Sequence, residues 1–147
     1  DRYYIDAVID KNSENEWRLT GFYGEPDTAR RHEAWGQLRA LNSQPEKPWL
    51  CFGDFNEIIR QEEKLGGARR PYYQMQQFRE VINECGFMDL EFEGSNFTWS
   101  KHFESGVSIL ERLDRCLVNN NWFMKFGGSK VYHLSCTSSD HSFLYRV

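Results

Sequence analysis

The sequence lacks any apolar run close to the roughly 20 residues that a membrane-spanning helix needs. Its first residues, Asp1 to Ile5, also lack the pattern of a secretory signal peptide. We therefore expect a protein with no membrane partner, located in the nucleus or the cytoplasm and not secreted.

Cysteine is scarce. The four cysteines, Cys51, Cys85, Cys116 and Cys136, are far apart, and no Cys-x-x-Cys pair occurs. This spacing does not match a zinc module or the disulfide framework of a small secreted domain. It favours buried free thiols over disulfides or zinc, and hence a reducing compartment.

Positive charge is not in excess, because 18 basic residues face 22 acidic ones and the net charge is -4. A protein that binds nucleic acid mainly by counterion release is expected to carry a basic face. Any such face must be local here, and taken alone the charge disfavours nucleic acid as a partner. The candidate positions are Arg30-Arg31, Arg69-Arg70, Lys101, Arg112 and Arg115.

Apolar residues are abundant enough for a packed core, at 39% hydrophobic and 16% aromatic over 147 residues. In the first half the patterns predict strands over Arg2 to Ile9 and Glu16 to Tyr23. A helix ending near Asn42 follows, then a strand from Trp49 to Phe52 and a second helix over Gln74 to Cys85. This order of strands and helices predicts a layered single domain.

The remaining segments are shorter. The glycine-containing stretch from Gln61 to Tyr73 is predicted to be a functional surface loop. Further predicted elements are a strand over Phe97 to Ser100, one continuous strand over Ile109 to Val118, a short helix over Asn119 to Phe126, and strands over Lys130 to Ser135 and Phe143 to Val147.

The most informative stretch runs from Trp49 to Glu57, where an apolar strand stops at Gly53 and is followed by polar side chains. Asp54 and Asn56 lie two residues apart, so in extended geometry both point to the same side. A carboxylate can bind a metal or accept a proton, and a carboxamide can donate to a charged oxygen. The alternative is a simple turn, since Gly, Asp and Asn are common turn formers.

Two other polar clusters stand against apolar strands. One is Ser138 to Ser142, which contains Asp140 next to His141. The other is Asp114, which alternation within the predicted strand places among apolar neighbours. A buried carboxylate there needs a partner such as Arg112 or a histidine, and a structural ion pair explains it equally well.

Taken together, these clusters resemble one family. Gly53-Asp54-Phe55-Asn56, Arg112-Leu113-Asp114-Arg115 and Ser139-Asp140-His141-Ser142 occur in the order and at the spacing of the endonuclease/exonuclease/phosphatase superfamily. The sequence is most similar to the endonuclease domain of plant LINE-type (non-LTR) retrotransposons, whose motifs are also echoed by Phe22 to Pro26 and Phe97 to Ser100. The resemblance covers essentially the whole chain.

The resemblance implies a role for each matching residue. Asp54 would position or deprotonate the attacking water, Asn56 would hydrogen-bond the scissile phosphate, and Tyr23 would donate its hydroxyl to that phosphate. His141 would contact the phosphate, with Asp114 holding its ring.

The resemblance also implies a divalent metal, magnesium with manganese as an alternative. Asp140 and Asp54 would bind that metal. Thr98 and Ser139 would support the site through hydrogen bonds, although a plain hydroxyl at the end of a strand explains either one equally well.

The implied fold is α+β, a four-layer α/β/β/α sandwich of the DNase-I-like type. The implied activity is a magnesium-dependent nick in target DNA that primes an associated reverse transcriptase domain of the same polyprotein. Family members carry an Asn and a metal-binding Glu on earlier strands, and neither Glu14 nor Glu16 lies in a matching motif. We therefore expect residues 1–147 to be a domain that lacks its N-terminal strands. Two alternatives stay open: a phosphomonoesterase of the same superfamily, and an inactive remnant or binding module.

Overall fold

The computed structural model describes residues 3–42 and 46–134, together with the backbone of residues 143–146. The strands are β1 (Tyr4–Ile9), β2 (Trp17–Tyr23), β3 (Trp49–Asp54), β4 (Lys64–Leu65), β5 (Phe87–Asp89), β6 (Phe92–Gly94), β7 (Trp99–His102), β8 (Ser108–Glu111), β9 (Asp114–Asn119), β10 (Val131–Leu134) and β11 (Phe143–Arg146). The α-helices are α1 (Arg31–Leu41), α2 (Tyr72–Glu84) and α3 (Asn120–Lys125), and short 3-10 turns span Thr28–Arg30 and Gln61–Glu63.

The main sheet has five strands in the order β1-β2-β3-β9-β5. Strand β3 lies at its centre, parallel to β2 and antiparallel to β9. Trp49, Leu50 and Cys51 at the start of β3 are buried, as the apolar run predicts, but Phe52, the last residue of that run, is 39% exposed. The carboxyl ends of β2 and β3 therefore meet the amino end of β9 at one edge of the sheet.

Helices α1 and α2 cover one face of this sheet. The apolar stripe of α1 falls at positions 34, 35, 38 and 41, and each of these side chains is buried. Trp35 stacks on Phe78 of α2 with ring centroids 4.7 Å apart. These side chains form one core with Phe22, Cys51 and Leu117 of the sheet.

The opposite face of the main sheet carries a second core, formed by Leu50, Cys116 and Val118 with Trp122 of α3 and Val131 of β10. Strand β10 belongs to a three-stranded sheet in the order β11-β10-β6. A third sheet has the order β4-β8-β7. Helices α1 and α2 on one side of the main sheet, and α3 with further strands on the other, form the layers of an α+β sandwich, which confirms the predicted fold class.

Most predicted elements are present, with two corrections. The continuous strand predicted over 109–118 is wrong, because the chain bends at Arg112 and Leu113 so that β8 and β9 join different sheets. The stretch 61–73 is not a plain loop, since it contains a 3-10 turn, β4 and the start of α2. Strands β5 and β6 follow α2 and have only three residues each, which is too short for a periodic signal.

Three cysteines, Cys51, Cys85 and Cys116, are free and buried, as predicted, and Cys136 lies outside the described residues. Burial raises the pKa of the Cys85 thiol to about 12, which keeps it protonated. Among the helices of the described residues, none has the length and apolar character of a membrane span.

Candidate active site

The strand register aligns three of the predicted site residues. Tyr23 is the partner of Asp54 across the β2-β3 pair, and Asp54 is the partner of Asp114 across the β3-β9 pair. Residues directly opposite each other on neighbouring strands present their side chains to the same face. Tyr23, Asp54 and Asp114 therefore form a row across three strands, on the face opposite α1 and α2.

Asn56 lies in the turn that ends β3. Its backbone N–H donates to Asp54 Oδ1 at 2.9 Å, and its side-chain Nδ2 donates to the Gly24 carbonyl at 2.8 Å. Asn56 adopts a left-handed conformation with φ of 55°, which a non-glycine residue seldom adopts. The turn predicted as the simple alternative is thus present, and the same turn fixes both candidate functional side chains.

Phe55 explains why the turn holds its shape. This side chain is fully buried and stacks on Phe22 and Phe78, with centroids 5.3 and 5.5 Å away. Because Phe55 is anchored in the helix-facing core, the polar residues on either side of it have little freedom to move. The apolar residue between Asp54 and Asn56 is therefore a structural anchor for the site.

Thr98 supports the backbone at Asp114 through hydrogen bonds. The Thr98 side chain is 1% exposed, and its Oγ1 accepts the backbone N–H groups of Leu113 and Asp114, each at 3.0 Å. These two amides belong to the bend between β8 and β9. One buried hydroxyl thus satisfies two donors that the break in the strand would otherwise leave without partners.

Arg31 and Glu57 form a buried ion pair beside the site, with Arg31 Nη1 2.6 Å from Glu57 Oε2. The Arg31 side chain also donates to the carbonyls of Glu25 and Pro26, each at 2.9 Å. Glu57 also forms an ion pair with Arg70, because its Oε1 lies 2.9 Å from Arg70 Nε. Glu57 directly follows Asn56, so the pair lies immediately behind the turn.

A second buried ion network lies next to Asp114. Arg112 and Arg115 each bind both Glu63 and Asp89, at distances between 2.8 and 3.1 Å. Burial acts to raise the pKa of Glu63, but the charges of Arg115 and Arg112 and the hydrogen bonds from Arg115 and the Ile59 N–H together lower that pKa overall. Neither arginine is exposed, so neither belongs to a basic face.

Four of the seven candidate positions for a local basic face therefore do not contribute to one. The chain buries Arg31, Arg112 and Arg115, and Arg70 is occupied by Glu57 and Glu111. Their charges are neutralised inside the protein, because an unpaired buried guanidinium would be too costly. The sequence did not show which carboxylates would pair with these arginines, since the partners lie far away along the chain.

Three predicted site residues, Ser139, Asp140 and His141, lie outside the described residues. Within the described part of the chain, no group of three or more His, Cys, Asp or Glu side chains could hold a metal. Asp54 and Asp114 nevertheless supply hard oxygen ligands side by side. That donor type fits magnesium, which commonly takes one or two protein carboxylates and completes its shell with water and phosphate.

Arg31 and Glu57 were missed as site-supporting residues, although a signal for them existed. Arg31 falls on the same helical stripe as Ala34, Trp35 and Leu38, where a charge is out of place unless it is paired. Glu57 closes the tract that the sequence singled out. Nothing in the sequence indicated that these two residues pair with each other.

Comparison with known proteins identifies the family of the chain. The Endonuclease/Exonuclease/phosphatase family matches residues 2–141 of the chain. A search of curated proteins found no significant match.

Three solved structures show the same fold. The endonuclease domain of TRAS1, a telomere-specific non-LTR retrotransposon, matches with a TM-score of 0.74 and 18% identity over 98% of this chain and 62% of its own. A 3' phosphatase from Neisseria bound to a product DNA hairpin gives 0.73 and 16% over 100% of this chain and 65% of its own. Beta toxin from Staphylococcus aureus with bound magnesium ions gives 0.58 and 13% over 98% and 53%.

This chain therefore spans less than two thirds of the length of each of these three proteins. At such identities the structural likeness shows the fold, whereas the family match extends over nearly the whole sequence. The chain belongs to the Endonuclease/Exonuclease/phosphatase family, whose members are divalent-metal-dependent hydrolases of phosphate esters.

Proposed function

We propose that this chain supplies the catalytic edge of a DNA endonuclease, which nicks target DNA to prime reverse transcription by a reverse transcriptase domain of the same polyprotein. The observation that carries the proposal is the row of Tyr23, Asp54 and Asp114 across three strands, with Asn56 in the adjoining turn. Two carboxylates, a carboxamide and a phenol at one sheet edge suit the handling of a phosphodiester and a water molecule.

In this proposal each side chain acts on the water, on the phosphate or on a neighbouring side chain. Asp54 orients the attacking water and takes its proton, and Asn56 and the half-exposed Tyr23 donate hydrogen bonds to the scissile phosphate. Asp114, 9% exposed, holds the ring of His141, and His141 contacts the phosphate. Holding the reacting groups in this arrangement lowers the entropic part of the barrier.

Asp54 and Asp140 would hold the magnesium ion. When bound, it would stabilise the negative charge that develops on the phosphate and the leaving oxygen. We further propose that residues 1–147 form part of a domain whose remaining strands lie elsewhere in the parent protein, in the nucleus or cytoplasm. The matches that extend over only 62% and 65% of the TRAS1 domain and the Neisseria phosphatase support this proposal.

The test is nicking of supercoiled plasmid in magnesium by the parent protein that contains these residues. Asp54→Ala and His141→Ala are expected to abolish nicking, because each removes a group that acts on the water or the phosphate. Glu104→Ala, in an exposed turn, is the matched acidic control and should nick as the native protein does. Undiminished nicking by both site variants would contradict the assignment.

A phosphomonoesterase is the second candidate. The net charge of -4 favours a small phosphorylated ligand over a long polyanion, and one structural neighbour is a 3' phosphatase. Parallel assays on plasmid, on a 3'-phosphorylated oligonucleotide and on free nucleotides or inositol phosphates separate the two activities. Release of phosphate from small molecules without nicking would favour the monoesterase.

An inert remnant or binding module is the third candidate. It is favoured by the small number of metal ligands in the described part of the chain. Calorimetric titration with magnesium distinguishes it, because an active centre is expected to release or absorb heat on binding the ion. Absence of both binding and hydrolysis at high protein concentration would support the inert alternative.

A further inference from the structure

The Arg31 side chain links two backbone segments that are distant in sequence. Its Nε donates to the Glu25 carbonyl and its Nη2 to the Pro26 carbonyl, each at 2.9 Å. Its Nη1 donates to Glu57 Oε2 at 2.6 Å, across 26 positions of sequence. Arg31 is only 5% exposed, so its guanidinium makes these contacts inside the protein.

The two linked segments are the ones that carry the candidate site. Glu25 and Pro26 follow Tyr23 and Gly24 at the end of β2, and Glu57 follows Asn56 at the end of β3. Between them, the Gly24 N–H donates to the Asp54 carbonyl at 2.6 Å, and the Gly24 carbonyl accepts from Asn56 Nδ2 at 2.8 Å. Arg31 therefore spans the same gap as the bonds that orient Asn56.

The two segments are closely packed at Gly24. A Cβ added to Gly24 would lie 2.2 Å from the Phe55 carbonyl oxygen, well inside van der Waals contact. This close packing brings the Asn56 amide to the Gly24 carbonyl. It requires contacts that hold the two segments together on the face of the sheet that α1 and α2 cover. The Arg31 contacts lie on that side, because Arg31 begins α1.

Both carboxylate oxygens of Glu57 have partners. Its Oε2 binds Arg31, while its Oε1 accepts the Ile58 N–H at 2.8 Å and lies 2.9 Å from Arg70 Nε. A fully buried ion pair adds little net stability, because desolvation offsets its Coulomb attraction. Apolar side chains could fill this space equally well. What the Arg31 guanidinium adds is a fixed arrangement of three hydrogen bonds from one planar group.

We propose that Arg31, together with Glu57, is a positioning residue that sets the distance between the ends of β2 and β3, and so aims Asn56 and Tyr23 at the scissile phosphate. This inference rests on the proposed function for its kinetic consequence. Arg31 is buried and cannot reach DNA, so its loss should lower kcat and leave KM unchanged. Misplacement of catalytic groups by about 1 Å can lower a rate on the order of 100-fold.

The experiment compares two changes in the parent protein with one control. The double variant Arg31→Met/Glu57→Leu removes both charges at similar volume, and Arg70, which also contacts Glu57, keeps Glu111 as its ion-pair partner. Arg31→Lys keeps the charge but loses the planar fork. Arg39→Lys on the same helix is the control, because the Arg39 pair with Glu84 is exposed on both sides, at 40% and 53%.

Two readouts are measured: kcat and KM for plasmid nicking, and the NMR resonances and hydrogen exchange of the Asn56 side-chain amide. We expect the double variant to fold, to lose about 100-fold in kcat at unchanged KM, and to show Asn56 amide resonances shifted towards solvent-exposed values. Arg31→Lys should change both readouts in the same direction by less, and Arg39→Lys should change neither.

Native kcat and native Asn56 resonances in a folded double variant would overturn the inference. If the double variant does not fold, native values in Arg31→Lys overturn it, and a shifted Asn56 amide with lower kcat supports it. If the native protein does not nick DNA, the proposed function fails. The NMR readout still decides whether Arg31 positions Asn56.

Discussion

At the scale of single residues, the site depends on an asparagine in a conformation that L-residues avoid. Asn56 has φ of 55°; its backbone N–H donates to Asp54 within the turn, and its side chain donates to the Gly24 carbonyl on the neighbouring segment. Asparagine tolerates this region better than most residues, and glycine tolerates it without strain. Stability and function should therefore respond differently to substitution here.

We expect Asn56→Gly to be more stable than Asn56→Ala by about 1 kcal/mol, because only alanine carries a Cβ into the left-handed region. Both variants should lose nicking, since neither has a carboxamide. Urea unfolding of the two proteins measures the difference. Equal stabilities would show that the turn relaxes out of its left-handed conformation when the side chain is removed.

Thr98 makes a second prediction at this scale. Thr98→Val keeps the shape but leaves the N–H groups of Leu113 and Asp114 without their acceptor. We expect a loss of about 1 to 3 kcal/mol in the free energy of unfolding, together with reduced nicking through Asp114. Thr98→Ser retains the hydroxyl and is the control. A native-like valine variant would mean that the hydroxyl is a plain strand-end group.

At the scale of elements, the end of β3 requires a glycine. Gly53 has φ of 141°, and a Cβ there would lie 2.0 Å from the Phe22 carbonyl oxygen of β2. The sequence indicated a turn or a close approach at this position, and the structure has both. The parallel pairing of β2 with β3, which aligns Tyr23 with Asp54, depends on this absence of a side chain.

We expect Gly53→Ala to destabilise the protein by about 2 to 4 kcal/mol through backbone strain and separation of the two strands. Gly36→Ala is the matched control, because Gly36 lies within α1 and an added Cβ would meet nothing within 4 Å. That change should stabilise by about 0.5 to 1 kcal/mol. Thermal unfolding should give a lower melting temperature for Gly53→Ala and a higher one for Gly36→Ala than for the native protein.

At the scale of the whole molecule, buried titratable groups link stability to pH. Burial lowers the pKa of His133 below its usual 6.5, against the hydrogen bond from Nδ1 to the Ser95 carbonyl. Below about pH 6.5 the unfolded chain therefore binds a proton that the folded protein does not. The pKa of Glu63 is also lowered, so its stabilising contribution is present above 4.5 and is lost as the pH falls through its folded value.

We expect the free energy of unfolding to fall as the pH is lowered from about 6.5, and to fall further below about 4.5. His133→Phe keeps a ring against Phe92, on which His133 stacks at 4.3 Å. This variant should reduce the slope of the unfolding free energy against pH between about 6.5 and 4.5, and leave the slope below about 4.5 unchanged. Urea unfolding across this pH range measures it, and an unchanged upper slope in the variant would assign that dependence to another group.

The sequence by itself determined most of the elements and the motifs. The stripe of Ala34, Trp35 and Leu38 and the apolar run before Gly53 predict a helix and a strand because these signals are local: a side chain's face follows from its position within a few residues. The residues at the ends of β2 and β3 and at the start of β9 were identified by resemblance to a family. Their order along the chain was enough for that.

The tertiary structure alone decided how those residues meet. The predicted strand over 109–118 breaks in two because its halves pair with different sheets. The alignment of Tyr23, Asp54 and Asp114 joins positions far apart in sequence, and so does the pairing of Arg31 with Glu57. A charge on an apolar stripe shows that a partner is needed but not which one, because ion pairs and strand registers arise from packing of the whole chain. The positions of the candidate site residues were therefore readable from the sequence, and the scaffold that aims them was not.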